Sequence, residues 1–160
     1  MKIIFLDFDG VLNSYSDRPK VAPFVINGHI GLYPEKIDLL NKIIAETKAS
    51  IVVSSAWRGG RSVNDLQIIL ADAGFKYSQS VIGKTSTHYI GNFPQLARGL
   101  QISDWITNGK SLYNIKVDDF IVIDDESSGL TELGELFFQI NGQTGLTLED
   151  AEEIIKRLNS

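Results

Sequence analysis

The chain has 160 residues, 43% hydrophobic and 22% charged, with 15 basic and 20 acidic side chains giving a net charge of −5. These values fit one ordinary globular domain with a substantial core; the absence of cysteine excludes a disulfide framework, a thiol nucleophile and a cysteine-type zinc site. Mild acidity argues against tight, non-specific polyanion binding, although a bound divalent cation reverses the local sign and lets a nucleic-acid end approach.

Lys2 to Leu6 reads as a continuous apolar strand ending in Asp7 and Asp9. Residues 14–33 are irregular, with Pro19, Pro23, Gly28 and Gly31. Pro34 opens a helix, with Ile37, Leu40 and Ile44 at helical spacing. Ser50 to Ser54 is a β-branched strand. Ser62 and Asp65 mark a capping-box start for a helix striped by Val63, Leu66, Leu70 and Ala73 and closed by Gly74. A short strand is expected at Ser80 to Ile82, then a helix from Phe93 to Ile106 stopped by Asn108-Gly109. Phe120 to Ile123 is another buried strand, also ending in two aspartates. Leu136 to Ile140 is a further strand, with a turn at Asn141-Gly142. Thr147 caps a last helix, Asp150 lying three residues on. Strands alternating with helices predict an α/β fold: a Rossmann-like, doubly wound parallel sheet in a single domain spanning residues 1–160. Ligands of such sheets bind at the carboxyl ends of the strands. No apolar stretch reaches membrane-spanning length. The first residues form a strand entering an acidic motif rather than a signal peptide, so no membrane and a cytoplasmic location are expected.

The polar motifs gather at those strand ends. Asp7 and Asp9, two residues apart, face the same side. Two such carboxylates hold a hard cation or divide nucleophile and acid roles. Gly10 permits a tight turn that brings amides toward a phosphate. A calcium loop fails, because Val11 stands at its third ligand position. Asp124 and Asp125 end a strand expected beside the first, and would complete an acidic cup around Mg²⁺. Ser54 or Ser55 could donate a hydroxyl to a phosphate oxygen. Arg58, in Trp57-Arg-Gly-Gly-Arg61, suits phosphate by its planar fork. Lys84 and Arg98 are the candidates for the base that offsets the acids. Lys84 sits in Ile-Gly-Lys-Thr, but Ser78 replaces the first glycine of a P-loop. His29 and His88 are isolated and read as structural or surface residues.

Taken in order, these pieces resemble the haloacid dehalogenase-like (HAD) phosphatase superfamily. The resemblance is carried by Asp7-Phe-Asp9-Gly-Val11, Ile-Val-Val-Ser54, Arg98 or Lys84, and Asp124-Asp125. Ser54-Ser-Ala-Trp-Arg58, Arg98-Gly-x-x-Ile-x-x-Trp105 and Thr144-Gly-Leu-Thr147 look like the HAD domain that accompanies RNA-repair proteins. The 3′-phosphatase domain of phage polynucleotide kinase is a more distant look-alike, and it favours Arg98 over Lys84. The resemblance implies a Mg²⁺-dependent phosphomonoesterase. Asp7 would be nucleophile and metal ligand. Asp9 would be general acid, then base, offering its backbone carbonyl to the metal. Ser54 would hold the phosphate and Arg98 would stabilise the phospho-aspartyl state. Asp124 would be the main further metal ligand, aided by Asp125. Gly10, Ser55, Arg58 and Lys84 remain candidates for substrate contact.

One departure concerns the cap. Residues 14–33 offer only a small cap or flap, where many relatives carry a large one. An open cleft suits a phosphorylated substrate such as a nucleotide or nucleic-acid end, a phosphoprotein, or a loosely held small molecule. Tyr15, Phe24 and Tyr33 would stack on a base or, the first expectation, pack the loop down. Two rival readings keep the fold: a receiver-like phospho-aspartate signalling domain and a non-catalytic binding domain. The order of the acids, Asp-x-Asp first and Asp-Asp late, speaks against a receiver.

Overall fold

The computed structural model describes residues 1–16, 25–26, 29–87, 97–113 and 119–160. Pro19, Pro23, Phe24, Gly28, His88 and the expected helical residues 93–96 lie outside them.

Five strands form one parallel sheet: β1 (Ile3–Leu6), β4 (Ser50–Val53), β5 (Val81–Lys84), β6 (Phe120–Asp124) and β7 (Phe137–Gln139), in spatial order β5-β4-β1-β6-β7. Alternate residues of each strand point to opposite faces, and both faces are covered. Ile4, Leu6, Ile51, Val53, Ile121 and Ile123 join the core with Ile37 and Leu40 of α1 (Pro34–Thr47), Leu66 and Leu70 of α2 (Val63–Asp72), and Ile154 of α4 (Leu148–Asn159). Ile3, Phe5, Val52, Phe120 and Val122 pack with Ile102 and Ile106 of α3 (Ala97–Tyr113) on the other face. This two-sided burial is why the strands read as unbroken apolar runs rather than alternating ones. The arrangement is the α/β, Rossmann-like doubly wound fold expected from the sequence.

The helix starts follow the sequence signals. Pro34 is the first residue of α1, which ends at Lys48 in the left-handed region (φ 57°). Ser62 and Asp65 form a full capping box on α2, as Thr147 and Asp150 do on α4; each satisfies otherwise unpaired first-turn amides.

Several elements differ from expectation, β1, β4 and β6 by one residue at an end. Helix α3 runs through Asn108-Gly109 to Tyr113. Asn108 donates to Asp104 one turn back (3.2 Å) instead of ending the helix. Strand β5 starts and ends later than Ser80–Ile82, because Gly83 and Lys84 pair with Val52 and Val53. Strand β7 is trimmed by the 3₁₀ segment Thr131–Leu136 that leads into it. The irregular segment 14–33 contains two short antiparallel strands, β2 (Val25–Ile26) and β3 (His29–Ile30). No helix among the described residues is long and apolar enough to cross a membrane.

Chain order reverses beside β1: the path runs outward through β4 and β5, then returns to β6 and β7. The crevice at such a reversal, outside the carboxyl ends of the strands, is where this class of sheet takes ligands. Asp7 and Asp124 stand there.

Candidate active site

Sheet register sets the first layer of the site. Leu6 lies opposite Val53 on one side and Ile123 on the other. The next residues, Asp7, Ser54 and Asp124, therefore stand as one row at the carboxyl edge of the sheet. Backbone bonds hold the row: Asp7 N–H donates to Ile123 O (3.0 Å) and Ser54 N–H to Leu6 O (2.9 Å). Asp7 and Asp124 are both buried. Arg98, from the first turn of α3, bridges them, with Nη1 2.5 Å from Asp124 Oδ2 and 3.3 Å from Asp7 Oδ2. Gly99 lets the helix come this close: a Cβ there would lie 2.2 Å from Gly129 O.

Asp7, Asp124 and Asp125 bring one carboxylate oxygen each within 4.8 Å of one another. Crowding and burial act on their protonation. Burial first, then Asp7, lifts Asp124 well above the usual carboxylate range, with Arg98 opposing. Burial, then Asp7, pushes Asp125 up to about 6, against a hydrogen bond from Tyr15. Burial and the Asp125 charge raise the Tyr15 phenol in turn, so it stays a neutral donor. Burial works against the Arg98 cation, but Asp7 and Asp124 outweigh it. Asp125 Oδ1 is buried with no hydrogen-bond partner among the described residues. Three crowded carboxylates, one of them with an unsatisfied oxygen, fit a divalent cation of the magnesium type.

Asp9 is not part of this cluster. Its Oδ2 accepts from the Trp57 indole Nε1 (3.0 Å) and its Oδ1 from Asn13 Nδ2 (3.0 Å). Asn13 is fully buried; it also donates to Gly31 O (3.2 Å) and accepts from Gly10 N–H (2.7 Å). Ser54 Oγ is buried and has no hydrogen-bond partner among the described residues. A buried hydroxyl left without a partner is costly, and here it stands beside the acids at the ligand-binding edge.

A family model for the HAD domain in Swiss Army Knife RNA repair proteins matches residues 3–151. The chain belongs to that family. No curated protein matches it. The matched span takes in the whole sheet, from Ile3 of β1 to the first turn of α4.

Several residues that the sequence offers to the site take other places in this HAD domain. Lys84 does not face the acids; its Nζ donates to the carbonyls of Arg61 and Arg58. Its side chain instead fastens the loop after β4, leaving Arg98 as the cation at the cluster. Arg58 was expected to meet substrate, yet it is buried and donates to Ser55 O (2.6 Å), Thr85 O (3.1 Å), Ser86 O (3.0 Å) and Gln101 Oε1 (2.8 Å). Burial, then the Arg98 charge, lowers its pKa, and its fork is spent on tying the loops after β4 and β5 to α3. Ser55 Oγ caps the following 3₁₀ turn, accepting from Trp57 N–H (3.3 Å), so Ser54 carries the unpartnered hydroxyl of the pair. Gly10 serves the turn as expected, with φ +77°. Its amide, however, goes to Asn13, and its missing Cβ leaves room for Asp125, whose Oδ2 would stand 2.5 Å from one.

Tyr33 packs the loop down as expected, buried with its hydroxyl on Ser14 O (3.2 Å). Tyr15 lies instead against the acid cluster, beside Gly142. Trp57 and Asn13 join the site without having been expected there. Their sequence signal is their place, a turn beyond an acidic or hydroxylic strand end, and for Trp57 also its part in Ser54-Ser-Ala-Trp-Arg58. Thr85, next to Lys84 in the failed P-loop, also has a buried Oγ1 with no partner among the described residues.

Proposed function

We propose that the chain is a Mg²⁺-dependent phosphomonoesterase acting through a phospho-aspartate, its substrate a nucleotide or a nucleic-acid terminal phosphate. The observation that supports it most is the row Asp7, Ser54, Asp124 with Arg98 bridging the two acids. It joins a nucleophile, an unpartnered hydroxyl donor and a fixed cation at one crevice. The RNA-repair context of the family favours the nucleic-acid end over a small metabolite or a phosphoprotein.

In this reading Asp7 attacks phosphorus and the ester P–O bond breaks. Asp9, protonated, gives its proton to the leaving oxygen, which departs as the alcohol. Asp9, now a carboxylate, takes a proton from the water that attacks the phospho-aspartate. The acyl phosphate P–O bond then breaks, releasing inorganic phosphate and restoring both acids. Ser54 Oγ donates to a phosphoryl oxygen, and Arg98 supplies fixed positive charge as negative charge moves off Asp7. Held by Asp7, Asp124 and Asp125, Mg²⁺ would contribute Lewis-acid stabilisation of the phosphoryl oxygens.

A panel of phosphate esters, including 3′- and 5′-phosphorylated oligonucleotides, assayed with and without Mg²⁺, tests the reading. Turnover should require Mg²⁺ and vanish in Asp7→Asn. Metal-dependent turnover surviving in Asp7→Asn would sink the mechanism. A long-lived phosphorylated Asp7 without turnover would point to signalling, and metal binding without hydrolysis to a binding domain.

A further inference from the structure

Trp57 is fully buried and its ring is fixed from two sides. Phe8 meets it edge-on, with centroids 5.6 Å apart, and the Arg61 guanidinium lies 5.9 Å from its centroid. Its backbone is held by the Ser55 cap. The indole nitrogen is a donor only, and this rigid donor points at Asp9 Oδ2. Asn13 is fixed as firmly, by Gly10 and Gly31, and donates to the other oxygen. Asp9 itself is half-buried, so these two donors restrict the rotation of a carboxylate that solvent reaches.

We infer that Trp57 and Asn13 are positioning residues that clamp Asp9 by one donor on each oxygen, holding it for proton transfer and out of the metal cluster. The inference rests on the proposed phosphatase reading and adds two residues to it. Each carboxylate oxygen has two lone pairs, so accepting from Trp57 or Asn13 does not by itself bar an oxygen from carrying the proton that leaves with the alcohol and returns from water. Proton transfer needs a donor fixed within hydrogen-bond reach of the leaving oxygen, which a freely rotating carboxylate is not.

The test exploits leaving-group chemistry. An alkyl phosphate expels a strongly basic oxygen and needs the acid; p-nitrophenyl phosphate expels a stable phenolate and needs it little. The ratio kcat/KM reports the steps up to departure of the alcohol, so it isolates the acid role from the later hydrolysis. In Trp57→Phe, kcat/KM for an alkyl phosphate should fall by about tenfold or more, the value of one donor to a charged group. For p-nitrophenyl phosphate it should change by less than about threefold. Asp9→Asn should show the same bias, and adding Trp57→Phe to it should cost nothing further. Equal losses on both esters, or additive losses in the double variant, overturn the inference and leave the phosphatase reading standing. A wild-type chain inert on every ester removes that reading and the catalytic role of the clamp with it.

The clamp itself has a readout that needs no turnover and no Trp57 variant. The chain has two tryptophans, hence two indole N–H cross-peaks. Asp9→Asn should move the Trp57 peak and leave that of Trp105 in place. An unmoved Trp57 peak overturns the clamp.

Discussion

Three carboxylates that bring one oxygen each within 4.8 Å of one another weaken the fold when no metal ion lies between them. The sign follows from Asp125, raised from 3.8 to about 6 by burial and by Asp7. The folded chain holds that proton more tightly than the unfolded one, so stability falls as pH rises between these two values and is lowest above them. At pH 8, Asp125→Asn should therefore stabilise the metal-free protein. The gain is on the order of 1 kcal/mol once solvent screening of a half-exposed group is allowed for, or about 2–4 °C in melting midpoint for a chain of this size. Below pH 4 the difference should disappear. Adding Mg²⁺ should raise the midpoint of the wild type by mass action and do far less for Asp125→Asn. Thermal melts at both pH values, with and without the metal, read all three effects. An Asp125→Asn protein less stable than wild type at pH 8 without metal would mean that the aspartate is structural, not a strained ligand. Such strain is the usual trade of stability for function at a site.

At the scale of elements, α3 matters because its first turn carries Arg98. A Cβ on Gly99 would lie 2.2 Å from the backbone oxygen of Gly129, and a carbonyl inside the loop after β6 cannot step aside as a side-chain end can. Helix propensity alone would make Gly99→Ala stabilising by up to about 1 kcal/mol. Overpacking costs about 1–3 kcal/mol, so the clash wins. Gly99→Ala should lower stability in a urea titration and, by moving Arg98 off Asp7 and Asp124, reduce kcat by about tenfold or more. A stable Gly99→Ala protein with unchanged kcat would show that the close approach does not seat Arg98. The elements themselves were legible because each signal was local: Pro34, the Ser62–Asp65 and Thr147–Asp150 capping boxes, and the apolar runs that a two-sided parallel sheet imposes. The acids were legible for a related reason, since carboxylates that end buried strands require solvent, a cation or chemistry to offset their charge. What was not legible depends on distant partners. Nothing near Arg58 in the chain announces Gln101 or the carbonyl of Ser86, and nothing near Lys84 announces Arg61. Trp57 meets Asp9 across a separation of 48 residues. Its bond exists only because β1 and β4 are neighbours in the sheet. The same register that put Ser54 beside Asp7 thus brought in a residue whose type alone suggested only core.

For the whole molecule, net charge decides how a nucleic-acid end would be held. A protein that grips many phosphates releases many counterions, and its affinity falls steeply with salt. This chain carries −5, and Arg58, Lys84 and Arg98 each have carbonyl or carboxylate partners. Among the described residues, these cations near the crevice are thus already committed, and a long strand gains little from them. If the substrate is a nucleic-acid end, recognition should stop within a nucleotide or two of the scissile phosphate. The ratio kcat/KM for a 3′- or 5′-phosphorylated dinucleotide should then match that for a long single strand within about threefold. The slope of log kcat/KM against log salt should be about −1 or shallower, as for one or two phosphate contacts on a single strand. Efficiency that climbs with strand length, with a slope several times steeper, would show an extended basic track. It would make this HAD domain a reader of strands rather than of ends.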